Sequence, residues 1–86
     1  MRYTRFTVVD YKGRRYVHDT PFETDDELSN ADVAGKAMKV TQELGRVSIV
    51  ENGIGYSVAS EHVDFIMVET MGLAPSARDI PEGDKT

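Results

Sequence analysis

Between residues 29 and 45 the apolar positions recur at the spacing of a helix. At about 100° per residue, Val33, Ala34, Ala37, Met38, Val40, Thr41 and Leu44 share one arc. Asp32, Lys36, Lys39, Gln42 and Glu43 occupy the other, with Asp32/Lys36 and Lys39/Glu43 as oppositely charged i,i+4 pairs. Gly45 suits the left-handed residue that ends a helix. Two starts compete, because Thr24-Asp25-Asp26-Glu27 and Ser29-Asn30-Ala31-Asp32 both resemble a capping box. A start at Thr24 would carry Leu28 onto the charged arc. With Ser29 as N-cap, Leu28 and Val33 instead take the two positions of a hydrophobic staple. The pattern therefore predicts a helix from Ser29, preceded by an acidic loop over residues 21–28.

The rest of the chain reads as short strands. Residues 2–9 are rich in Thr, Val and aromatics, Asp10-Tyr11-Lys12-Gly13 is a turn, and residues 14–18 return. After the helix, residues 46–51 alternate around Val47 and Ile49. Asn52-Gly53 tolerates the positive φ angles of a type I′ turn, and residues 54–59 pair back. Ser60-Glu61-His62 forms a corner into a last strand over residues 63–70. From Met71 onward Gly72, Pro75, Pro81 and Gly83 break any period, so residues 71–86 are expected to form a disordered tail.

The expected order is β-β-α-β-β-β in one α+β domain over residues 1–70. One helix packs on a mainly antiparallel sheet of about four or five strands. A β-grasp arrangement is the leading specific topology, and it requires the last strand to run parallel to the first.

Eighty-six residues make a domain that buries only about 60% of its unfolded surface. There is no cysteine, which removes disulfide frameworks and thiolate zinc sites and suits a reducing compartment. No apolar run approaches the roughly 18 residues of a membrane span, and MRYTRFTVVD lacks the features of a signal peptide. A cytoplasmic protein without a membrane partner is the expectation. The net charge of −5 is uneven. Arg2, Arg5, Lys12, Arg14 and Arg15 outnumber Asp10 and Asp19 in the first twenty residues, whereas acids dominate the remainder.

Little in the chain points to catalysis. His18 and His62 are the only histidines, and no G-x-S-x-G elbow accompanies them. Glu23, Asp25, Asp26 and Glu27, with Asp19, lack the alternation of an EF-hand loop. Asn-Gly-Ile-Gly at residues 52–55 joins strand to strand and cannot cradle phosphate as a P-loop does. No catalytic residue, metal ligand or cofactor is assigned.

Two binding readings remain. Residues 63–68 alternate only at Asp64, so Val63, Phe65 and Met67 form one apolar row and Ile66 and Val68 another. If the helix covers the Phe65 row, Ile66 and Val68 lie on an open face with Tyr3 and Val9. That face would bind another protein or a second copy of the chain. The alternative is nucleic-acid binding by the basic, aromatic first hairpin, through Arg2, Arg5, Lys12, Arg14, Arg15 and Tyr11. The acidic whole-chain charge opposes it.

A β-hairpin, an Ala-rich helix ending in Gly45, and the stretch GRVSIVENGIGYSVASEHVDFIMVE together resemble small accessory proteins encoded by tailed bacteriophages of actinobacteria. The likeness lies in the helix end, the strand–turn–strand of residues 47–58 and the corner leading into residues 63–68. It implies action by binding a host or phage protein, without catalysis. The leading expectation is accordingly a non-enzymatic protein-interaction module.

Overall fold

The computed structural model describes residues 1–71. Its elements are β1 (Arg2–Asp10), β2 (Arg15–Val17), β3 (Phe22–Thr24), α1 (Asn30–Leu44), β4 (Arg46–Glu51), β5 (Ile54–Ala59), a 3₁₀ turn (Ser60–His62) and β6 (Val63–Thr70). Strand β1 is the hub of a four-stranded antiparallel sheet. Along one edge, β3 pairs with residues 2–4 and β2 with residues 7–9, end to end. Along the other edge lies β6, which sets Val8 opposite Ile66 and Val9 opposite Phe65. Strands β4 and β5 form a separate two-stranded sheet.

The fold class is α+β, with one helix and a mainly antiparallel sheet. Several details differ from the sequence reading. Strand β1 runs antiparallel to β6, so the arrangement is not a β-grasp. Residues 22–24, expected to be loop, form β3. This strand owes its existence to its neighbours more than to its own pattern. Thr24 and Thr4 join their hydroxyls at 2.7 Å in a buried pair, and Phe22 meets Phe6 with ring centroids 5.4 Å apart. Arg2 then clamps the loop between β3 and α1, donating to the carbonyls of Asp25 and Leu28 and to Asn30 Oδ1.

Helix α1 has the ends its sequence implies. Ser29 Oγ accepts the Asp32 N–H at 3.0 Å, and Asp32 Oδ2 accepts the Ser29 N–H at 3.4 Å. Gly45 sits at φ 81° and donates to the Thr41 carbonyl at 2.8 Å. In the turn between β4 and β5, Asn52 and Gly53 have φ of 54° and 78°.

Val8, Ile49, Val58, Val63 and Ile66 form the buried core, with Phe6, Tyr16, Ala37, Met38, Val47 and Val68 packed against it. Helix and β4–β5 hairpin therefore cover the same face of the main sheet. That face carries the Ile66 row, the reverse of the expectation, and Val63 joins it instead of the Phe65 row because the β1–β6 register shifts between Val9 and Asp10. The reason lies in the cross-strand neighbours. The Ile66 row continues through Val8 into Tyr16 and through Val68 into Phe6. The Phe65 row continues through Val9 into Arg15, and beyond Met67 and Thr7 it reaches the Arg5/Glu69 ion pair. The first row stays apolar from Tyr16 to Phe6, whereas the second is broken by charge at both ends. Among the described residues no helix is long and apolar enough to cross a membrane. Met71 donates its N–H to the Tyr3 carbonyl, and the rest of the expected tail lies outside the described residues.

Candidate functional site

The apolar arc of α1 is wider than the surface beneath it. Ala37 and Met38 reach the core and Thr41 is buried, yet Val40 is 50% and Leu44 64% exposed. These two side chains stand along a groove of about 460 Å³ between α1, β4 and the main sheet. Phe6, Phe22, Val33 and Val47 supply more of its apolar wall, and Lys36 and Arg46 add positive charge. The helix packs over β6 and the hairpin over the opposite part of the face, and the groove is the seam between them.

A second concavity of about 350 Å³ lies between the β1–β2 turn and β5. Tyr11, Tyr16 and Tyr56 wall it, and Lys12, Arg14 and His62 line it with Asp10. Tyr16 and Tyr56 pack as a tilted pair at 5.2 Å. The Tyr11 N–H donates to the His62 carbonyl, tying the turn to the 3₁₀ segment. Asp10 builds the turn, accepting the Lys12 and Arg14 N–H groups at 2.9 Å each and the Tyr16 hydroxyl at 3.3 Å. Partial burial pushes its carboxyl up, but those donors and the Arg14 charge outweigh that and hold it below the usual carboxylate range. Gly13, at φ 84°, supplies the left-handed residue the turn needs.

The residues assigned from sequence are divided by the fold. Ile66 is 6% exposed in the core and Val68 packs on that core, so neither belongs to an open surface. Tyr3 and Val9 do lie on the face away from helix and hairpin, with Phe65 and Met67 in place of Ile66 and Val68, but Val9 is only 6% exposed and offers no open surface. The apolar part of that face is short, because the Arg5–Glu69 ion pair at 2.6 Å interrupts it. The basic set is likewise divided. Arg2 is engaged with the loop before α1 and Arg5 with Glu69. Lys12, Arg14, Arg15 and Tyr11 remain together, exposed, at the β1–β2 turn.

His18 stacks on Phe6 with ring centroids 5.2 Å apart, and its Nδ1 accepts the Val50 N–H at 3.1 Å. His62 lies exposed beside Glu61. Among the described residues no three His, Cys, Asp or Glu side chains gather as a metal site. Comparison with protein-family models, with curated proteins and with solved structures finds no match to this chain.

The groove was missed at the level of direction, not of composition. Val40 and Leu44 belong to the arc that the periodicity assigns inward. The warning was its width: an apolar stripe that broad needs more covering surface than a short sheet and a hairpin provide.

Proposed function

We propose that this chain is a non-catalytic protein-interaction module. It docks an apolar, acid-flanked segment of a partner protein in the groove between α1 and β4. The observation that carries the reading is the exposure of Val40 and Leu44 along a continuous apolar seam. A small domain that leaves such a seam in water does so at a cost that a partner relieves. Covering these two side chains contributes roughly 2–3 kcal/mol by area. Lys36 and Arg46 favour acids beside the apolar anchors. The engagement of Asp10 and His18 in local structure supports a binding role over a catalytic one. So does the resemblance to phage accessory proteins, and a phage-encoded binder of host or phage protein in the reducing cytoplasm is the setting we propose.

The test is a photo-reactive side chain at Val40 in the producing cell, with adducts read by mass spectrometry. A discrete partner adduct should form, and Leu44→Asp should abolish it while costing the fold only about 1–2 kcal/mol, through lower helix propensity and a negative charge at the helix C-terminus. An adduct to a second copy alone would make the groove a self-association surface. Absence of any discrete adduct, or a yield indifferent to Leu44→Asp, would refute the proposal.

A further inference from the structure

Among the described residues strand β5 has one strand neighbour and one free edge. Val50 shows which backbone groups point to that edge. Its carbonyl accepts from Asp19 N–H at 2.8 Å and its N–H donates to His18, so both groups turn away from β5. Val50 pairs with Gly55, and the next pairs of the same kind are Ser48 with Ser57 and Arg46 with Ala59. By the alternation of an antiparallel ladder, Gly55, Ser57 and Ala59 turn their N–H and C=O groups away from β4. Among the described residues no other strand takes them up.

Exposed edges are ordinarily guarded by charge, proline or a bulge. Strand β6 carries Asp64 and Glu69, but β5 reads Ile-Gly-Tyr-Ser-Val-Ala and has no guard. The tyrosine-walled cavity runs along its residues 56–59. On the far side of that cavity stand Lys12 and Arg14, with Arg15 next along the turn, against the single carboxylate of Asp10. Arg14 is held to Asp10 only at 3.8 Å, and its side chain is 67% exposed.

The geometry points to the β5 edge as a second docking surface, one that takes an extended acidic segment of a partner protein as an added strand. Its backbone pairs with Gly55, Ser57 and Ala59. Its alternate side chains enter the tyrosine cavity, where carboxylates meet Lys12 and Arg14. The positive turn selects acidic segments, and its charge sits where β-addition places side chains. This inference extends the interaction-module reading to a surface separate from the groove, and each has its own test.

The probe is a fluorescent peptide alternating Val and Glu, compared with its Val–Lys counterpart, a backbone N-methylated copy and oligothymidine. The Val–Glu peptide should bind and shift the amide resonances of Gly55, Ser57 and Ala59. Lys12→Glu with Arg14→Glu should weaken it by about tenfold or more. Ser57→Pro should block it by removing an outward N–H without touching the β4 ladder. Should that variant fail to fold, the N-methylated peptide makes the same test, and it should not bind. Equal binding of the Val–Lys peptide, undiminished binding of the N-methylated peptide, or unshifted edge amides would overturn the inference. Tighter, competing binding of oligothymidine would reassign the surface to nucleic acid. Leu44→Asp should leave peptide affinity unchanged. If it abolishes binding, the peptide occupies the groove and the edge site is refuted.

Discussion

Phe65 and Ile66 are adjacent, both are large and apolar, and they are predicted to respond very differently to truncation. Ile66 is 6% exposed among Val8, Ile49, Val58 and Val63, whereas Phe65 is 42% exposed on the opposite face. Ile66→Ala removes buried carbons at about 0.8 kcal/mol each in transfer terms, roughly 2.5 kcal/mol in all. The cavity adds to this, because Val8 and Ile49 are fully buried and have little room to collapse. The expected loss is about 2.5–5 kcal/mol. A domain of this size has roughly 4–10 kcal/mol of stability, so the variant is badly weakened. Phe65→Ala removes a larger side chain that is already two-fifths in water, and should cost about 1–1.5 kcal/mol. Urea unfolding decides between them. With m near 1 kcal/mol/M, Ile66→Ala should lower the midpoint by about 2.5 M or more and Phe65→Ala by about 1–1.5 M. Equal losses, or a larger loss at Phe65, would show that the covered face has been misassigned.

Two further outcomes rest on buried polar contacts. Thr24→Val leaves the Thr4 hydroxyl without its partner at 0% exposure and should cost about 1–3 kcal/mol. Adding Thr4→Val should recover much of that in a double-mutant cycle, and simple additivity of the two losses would argue against a shared hydrogen bond. Asp10 titrates below its ordinary value in the folded chain. Its stabilisation is therefore full above the unfolded carboxyl pKa of about 4 and is lost as pH falls through the lower folded value. Unfolding midpoints of wild type and Asp10→Asn should converge in acid, and curves that stay parallel would contradict the assignment.

Where local chemistry decides structure, the sequence was legible. Ser29 with Asp32 starts α1, Gly45 ends it, and Asn52-Gly53 closes the β4–β5 hairpin, each by interactions within a few residues. Strand β3 was not legible, because three residues beside a proline become a strand only through pairing with residues 2–4. The inward face of β6 was ambiguous for a similar reason. Residues 63–68 offer two apolar rows, and the choice rests on what β1 and β2 place beside each. For the candidate sites, Lys12, Arg14 and Tyr11 were visible as a basic, aromatic turn. Tyr56 and His62 join them only because the fold brings β5 and the 3₁₀ turn alongside. No separation in sequence announces that meeting.

The position of β1 also constrains the order in which the molecule can assemble. Arg5 meets Glu69 across 64 residues, so the first strand acquires its β6 edge only when nearly all the described chain is in place. Until then β1 holds β2 and β3 along one side and presents unpaired backbone along the other. Closing so long a loop carries an entropic cost that the local hairpins do not face, and distant pairings of this kind are what slow the folding of small sheets. The helix and the β4–β5 hairpin have mostly local contacts and can form early, but the face they are shaped to cover is complete only after β6 arrives. The same central strand that unifies the finished sheet is thus the part of the nascent chain that waits longest with an open edge.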